Sequence, residues 1–452
     1  MTYRRSFAAA LFAMLLTLVV AGCGGDDEDG QQQGAQQQQQ QQGAQQDPNV
    51  SGNVQVAAVW SGPEQESFQA VLDEFQERHP NVRVRYNSAG DQLPTVLATA
   101  VEGGNPPDIA VLPQPGLARD FVQKGALKPL TFAQQDIRNN FSEDWIRLGT
   151  IQNQLYGLFF KGANKSTVWF NTQIFEDAGV QQPQTWDQFL QTADTVKASG
   201  VAPFSVGGAD GWTLTDLFEN IYLRTAGPDM YDRLAEHEIP WTDESVKQAL
   251  REMARVVGQE DNVAGNALQT DFPESVTQVF SDQPQAAMVI EGDFVGGVIR
   301  DQTDAQDGEF DVFEFPSFGN EQGRTVMGGG DMVVMFRDSP AAQALIRYLA
   351  SPEAAQIWAR RGGFSSPNQN LDPSAYPDEI SRRVGSALAQ AETFRFDLSD
   401  LAPASFGATP GQGMWKALQD FLRETDVDAT AQQLERLASK AYRKDAERGA
   451  AD

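Results

Sequence analysis

Between residues 54 and 112 the hydrophobic pattern alternates between the period of a strand and that of a helix, and this alternation constrains the fold more than any other feature. Val54, Val56 and Ala58 alternate with polar or small neighbours, which predicts a strand ending near Trp60. Ser61, Gly62 and Pro63 then open a helix whose apolar face is Phe68, Val71, Leu72 and Phe75. After Pro80, Val82, Val84 and Tyr86 predict a second strand. Leu93, Val96, Leu97 and Ala100 predict a second helix, and residues 108–112 a buried third strand. This β-α-β-α-β order predicts a sheet with parallel crossovers. In such sheets ligands sit beyond the carboxyl ends of the strands. The loops there are residues 60–66, 88–92 and 113–116.

The second half shows the same class of pattern without any repeat of fixed period. Thr185-Trp186-Asp187-Gln188 reads as a capping box that opens a helix closing at Gly200. Residues 201–206 are short and apolar, and residues 207–212 form a polar-aromatic loop feeding a helix over 214–224. Residues 286–290 and 332–336 are buried-strand candidates. From Pro340 onward the chain reads as almost wholly helical. A helical C-terminal third on an α/β body fits two lobes sharing one chain.

The first fifty residues belong to neither lobe. Arg4 and Arg5 precede an apolar run from Phe7 to Ala21, as in a secretory signal, and the run is too short for a comfortable membrane span. Val20-Ala21-Gly22-Cys23 resembles the bacterial lipobox, in which the peptide is cut before the cysteine and the thiol carries a lipid. The alternative is an ordinary core cysteine after a cleaved signal. Arg4-Arg5-Ser6-Phe7 also resembles a twin-arginine export signal, and general secretion stays open beside it. Glycines, acids and a run of glutamines at 36–42 follow, with too little apolar area to offset the entropy of ordering. This tether predicts a reach of about 30 Å from the cell-membrane surface. An address outside the cytoplasm disfavours ATP- and NAD-dependent chemistry.

Charge and cysteine usage exclude further classes. With 62 acidic and 34 basic residues the formal charge is −28, so phosphate backbones are repelled and nucleic-acid binding is disfavoured. One cysteine allows no intrachain disulfide and no thiolate zinc site, and His79 and His237 are the only histidines. No metal, cofactor or catalytic residue is expected.

Eight stretches, in order, carry a resemblance to a known family. They are residues 103–110 (Gly-Gly-Asn-Pro-Pro-Asp-Ile-Ala) with 113–116, 125–130, 155–158, 165–170, 183–187, 223–228, 328–335 (Gly-Gly-Gly-Asp-Met-Val-Val-Met) and 348–364. The chain resembles the extracellular solute-binding proteins of carbohydrate ABC importers, family 1, most of all their α-glucoside-binding subgroup. Residues 286–294 are closer to the general family pattern. The resemblance implies a two-lobed, periplasmic-binding-protein-like fold of type II, each lobe a mixed sheet flanked by helices. The expected division is a signal at 1–22, a tether at 23–50, an N-terminal lobe at 51–160 plus 285–335, and a C-terminal lobe at 161–284 plus 336–452. The hinge is expected at residues 161–165 and 326–330, where three glycines would absorb rotation. The implied protein is a monomer that hands its sugar to a membrane permease.

A sugar offers flat C–H faces and a ring of hydroxyls, so its site needs aromatic platforms beside polar groups. Trp60 and Trp212, in loops at strand ends, are the candidate platforms, weighed against core packing. Trp169, Trp186 and Trp358 read as packing. Glu64 is a candidate ligand contact or the carboxylate of a capping box with Ser61. Glu66, Asp91 and Gln114 sit in strand-end loops, and Gly330 and Asp331 lie where backbone and ligand approach closely. Lys161, Glu291, Asp293 and Phe364 come mainly from the family pattern. Two rival functions remain open, a secreted glycosidase with a carboxylate pair and a receptor for a non-sugar solute.

Overall fold

The computed structural model describes residues 49–259, 261–319, 324–389 and 391–449. The expected signal, Cys23 and most of the tether lie outside them. The strands are β1 Gly52–Ala58, β2 Val82–Ser88, β3 Ile109–Leu112, β4 Thr150–Ile151, β5 Gln154–Leu155 and β6 Gly157–Asn164. They continue with β7 Thr167–Asn171, β8 Ala202–Ser205, β9 Ala286–Ile290, β10 Phe310–Glu314, β11 Thr325–Met335 and β12 Thr393–Phe396.

The first sheet has the order β12-β11-β3-β1-β2, with β6 also paired to β11. Its start is the expected parallel unit, in which Gly52 lies opposite Val82 and Val56 opposite Ile109. Phe68, Val71, Leu72 and Phe75 of helix Gly62–Arg78 are fully buried against it. Burying each such side chain contributes about 1.5–3 kcal/mol. The second sheet has the order β10-β7-β9-β8 and packs helices Trp186–Ala198 and Trp212–Ala226. The Thr185 capping box forms as predicted, with Thr185 accepting from the Gln188 amide.

Three features differ from expectation. β9, expected with the first lobe, pairs with β7 and β8 in the second sheet. The C-terminal third is helical apart from β12, which closes the edge of the first sheet beside β11. β11 itself begins at Thr325, well before the predicted strand at 332. Apolar composition announces a strand but does not select its partner, because pairing is decided between segments far apart in sequence.

The sheets are joined where β6 and β11 cross. These strands run antiparallel with Gly328 opposite Asn164 and Gly330 opposite Gly162, and a register shift falls between Asp331 and Met332. β6 then passes through Lys165 and Ser166 into β7 of the other sheet. Glycines 328–330 hold ordinary strand backbone here, outside the left-handed region. They allow close approach: a Cβ on Gly328 would lie 2.6 Å from the Ala163 carbonyl oxygen, and one on Gly330 2.9 Å from the Phe159 ring.

Candidate functional site

At this crossing the structure opens a cavity of about 600 Å³, within the range of small-molecule sites, roughly 300–1,000 Å³. Its first wall comes from the carboxyl ends of β1, β2 and β3, where the parallel pattern predicted it, and bears Trp60, Glu64, Glu66, Asp91 and Gln114. Lys161 and Asp331 form the floor because β6 and β11 place them directly opposite each other. The facing wall contains Asp210, Trp212, Phe272 and Phe294.

The floor is a charge network. Lys161, 3% exposed, bonds to the Glu64 carboxylate, while Ser61 makes no side-chain cap bond; the capping-box alternative for Glu64 is therefore not formed. Burial favours a neutral amine, yet Glu64, Asp331 and Asp293 together hold the Lys161 ammonium above its ordinary pKa. Trp60 Nε1 donates to Asp331 Oδ2 at 3.0 Å. Burial pushes the Asp331 carboxyl up to about 6, against the favourable charge of Lys161.

Beside it, Lys165 Nζ bonds to Asp216 at 3.0 Å and Asp397 at 2.5 Å. Asp216 comes from helix Trp212–Ala226 and Asp397 follows β12, so one ammonium ties three elements together. Against the upward push of burial, Lys165 and surrounding hydrogen bonds hold Asp397 below the usual carboxylate range. The same Nζ lies 5.8 Å from the Trp212 ring centroid, within cation–π reach.

Several expected site residues take other places. Trp60 is 1% exposed and packs on Phe68 and Trp358 with centroids 4.7 and 4.8 Å away. It is a core residue whose N–H orients Asp331, not an open platform. Trp212 is half-buried on the cavity wall, as a platform requires, but it begins a helix rather than sitting in a loop. Gly211 at φ 86 makes that entry, where a Cβ would lie 2.9 Å from Trp415. Gly330 and the first-wall residues line the cavity; Glu291, Asp293 and Phe364 do not. Phe364 stacks behind Trp358 at 5.3 Å. Asp293 accepts from the Asn164 amide and from Ser365, bracing the crossing from beneath. Glu291 is buried beside Asp216, and burial raises its carboxyl.

Sequence reasoning missed Asp210, Phe294, Arg300, Arg361 and Asp400, which also line the cavity, and read Trp358 only as packing. Asp210 follows the second lobe's first parallel strand, so the strand-end rule applied there would have found it. The others lie on segments that only the closing of the fold brings to the cleft. Among the described residues no cluster of His, Cys, Asp or Glu is arranged to hold a metal ion.

Two sheets joined by crossing strands over a polar-aromatic cleft define a two-lobed solute-binding protein. The model of the bacterial extracellular solute-binding protein family matches residues 60–356, and the chain belongs to that family. It is 32% identical over 405 residues to the osmoprotective compounds-binding protein of Synechocystis sp., covering 86% of this chain and 94% of that one. It is 31% identical over 381 residues to the alpha-glucosides-binding periplasmic protein of Rhizobium meliloti, covering 80% and 82%. Among solved structures, a chitin oligosaccharide binding protein shares the fold with a TM-score of 0.76 at 20% identity, covering 87% of this chain and 99% of that one.

Proposed function

We propose that this protein is the lipid-anchored substrate-binding component of a carbohydrate ABC importer, which captures an α-glucoside or related oligosaccharide between its lobes and delivers it to a membrane permease. The observation that carries this reading is the Trp212 wall. A half-buried indole, edge-on to Phe294 at 5.9 Å, shares one cavity with the Lys161–Asp331 floor, further carboxylates and the buried amide of Gln114. An indole covers the C–H face of a pyranose while carboxylates accept from its hydroxyls. The alpha-glucosides named for the Rhizobium meliloti relative support the sugar class, and the Cys23 motif supports the anchor on the outer face of the cell membrane.

The site acts by binding and closure, with no bond broken in the solute. A thermal-shift panel of maltose, trehalose, sucrose and xylosides tests this, because a ligand that binds only the folded state raises its melting point. A shift with an α-glucoside that is afterwards recovered intact is expected. Steady release of glucose by the pure protein would instead mark a glycosidase, and a panel without any shift would remove the sugar.

A further inference from the structure

The cavity's charges are unevenly matched. Its lining bases, Lys161, Lys165, Arg300 and Arg361, are each already engaged by the protein. Lys161 is held by Glu64 and Lys165 by Asp216 and Asp397; Arg300 is held by Asp378, and Arg361 bonds to Ser67 at 3.0 Å and lies 4.0 Å from the Glu66 carboxylate. Of the lining acids that form no ion pair among the described residues, two stand on loops that follow strands of different sheets. Asp91 stands on the turn Gly90–Gln92 after β2, on the first wall, and Asp210 stands on the loop after β8, on the second. Neither forms an ion pair among the described residues. Asp210 Oδ2 accepts only the Phe272 amide, at 2.7 Å.

Both carboxylates line the one cavity, from turns that follow strands of different sheets. Burial, with Asp91 and Asp271 adding to it, pushes Asp210 up to about 6 against the Phe272 bond. A separate observation points to what enters between them. Gln114, 6% exposed on the same wall as Asp91, has a side-chain oxygen without a hydrogen-bond partner. The engaged bases, the unmatched acids and this orphaned acceptor all call for donors from the solute.

We propose that Asp91 and Asp210 form a cross-cleft selectivity pair, which accepts a hydroxyl-rich solute without negative charge and rejects its phosphorylated or carboxylated analogues. The proposal rests on the saccharide reading above. A neutral polyol bridges both carboxylates with O–H donors as the walls approach. An anion brings a third like charge into a site whose bases are already spent, which is selection by repulsion.

Calorimetry on the folded chain with matched pairs reads this directly: trehalose against trehalose 6-phosphate, sucrose against sucrose 6-phosphate, maltose against maltobionate. For the pair whose neutral member binds, the anion is expected to bind at least about 100-fold more weakly. In the double variant Asp91→Asn, Asp210→Asn the neutral sugar weakens, having lost charged acceptors, while the anion does not, so the ratio falls to about tenfold or less. An anion binding as tightly as its neutral partner overturns the pair, as does a ratio unchanged in the variant. If no neutral sugar binds, the saccharide reading fails, and a ligand-free measurement still decides the pair. At pH 8 each single variant, Asp91→Asn and Asp210→Asn, also relieves the other carboxylate, so the double variant should gain less in melting point than the sum of the two single shifts, and this shortfall should shrink toward pH 5. Of the other charges near Asp210, Asp271 persists in all these proteins, as do Arg300 and Asp301 on the cavity lining. Strictly additive single shifts at pH 8 would show that the carboxylates do not interact.

Discussion

At the scale of single residues, two tryptophans that look alike in sequence have opposite roles. Both sit next to polar residues after a predicted strand and both line the cavity, but Trp60 is almost wholly buried among Phe68, Phe160 and Trp358 while Trp212 is only half-buried. Trp60→Ala should therefore cost about 3–5 kcal/mol of stability, as for a large core aromatic. Trp212→Ala should weaken sugar binding by about 2–4 kcal/mol, as for an interfacial anchor, with little change in melting point without ligand. Paired melting and calorimetric measurements on both variants check this; a large ligand-free destabilisation in Trp212→Ala would assign it to the core. Lys165 offers a second test. Replacing it with Met leaves Asp216 and Asp397 buried without their cation, which should destabilise the fold by about 3–5 kcal/mol. Denaturant titration would reveal that loss. Restoring charge balance with Asp397→Asn in the same chain should recover part of it.

At the scale of elements, the crossing of β6 and β11 builds the floor of the site and joins the two sheets. Its glycines, expected from sequence to absorb rotation, also allow close packing in this structure, since a Cβ on Gly328 or Gly330 would meet the neighbouring strand. Gly328→Ala places a methyl against the Ala163 carbonyl and should cost about 1–3 kcal/mol through overpacking. Equilibrium unfolding measures it, and a neutral outcome would mean that the strands separate easily there. The parallel start of the chain was legible because each of its elements is short, periodic and adjacent to its partner. β9 and β12 were not legible in the same way. β9 is apolar throughout and could be placed in either sheet by composition, and Thr393–Phe396 is a short mixed segment between helices. Their assignments come from hydrogen bonds to strands far away in the chain.

At the scale of the whole molecule, burial of carboxylates sets the response to pH. Asp210 and Asp331 are each raised to about 6, above an unfolded value of about 3.9. The folded state thus binds their protons more tightly, and stability should increase as pH falls from 7.5 toward 5. Asp397 works in the opposite sense. Its carboxyl lies below the ordinary range, so its contribution is present above about pH 4 and lost on further acidification. The melting temperature without ligand should therefore peak near pH 4–5, about where these two effects meet. A steady decline from neutrality downward in differential scanning calorimetry would contradict this, and Asp210→Asn with Asp331→Asn should flatten the rise.

The sequence alone determined the layered α/β class, the strand-end position of the first wall and the acidic character of the chain, because these depend on local periodicity and composition. It also carried the family resemblance, through motifs distributed along the whole body. Only the tertiary structure decided which residues face the cleft. Glu64 left its own helix start for Lys161, Trp60 and Phe364 were packed into the core, and Asp210 was brought from beyond a strand of the second sheet to the same cavity as Asp91. The reason is physical: a side chain's burial and ionic partners are set by segments tens or hundreds of residues away, and local pattern carries no record of those distances.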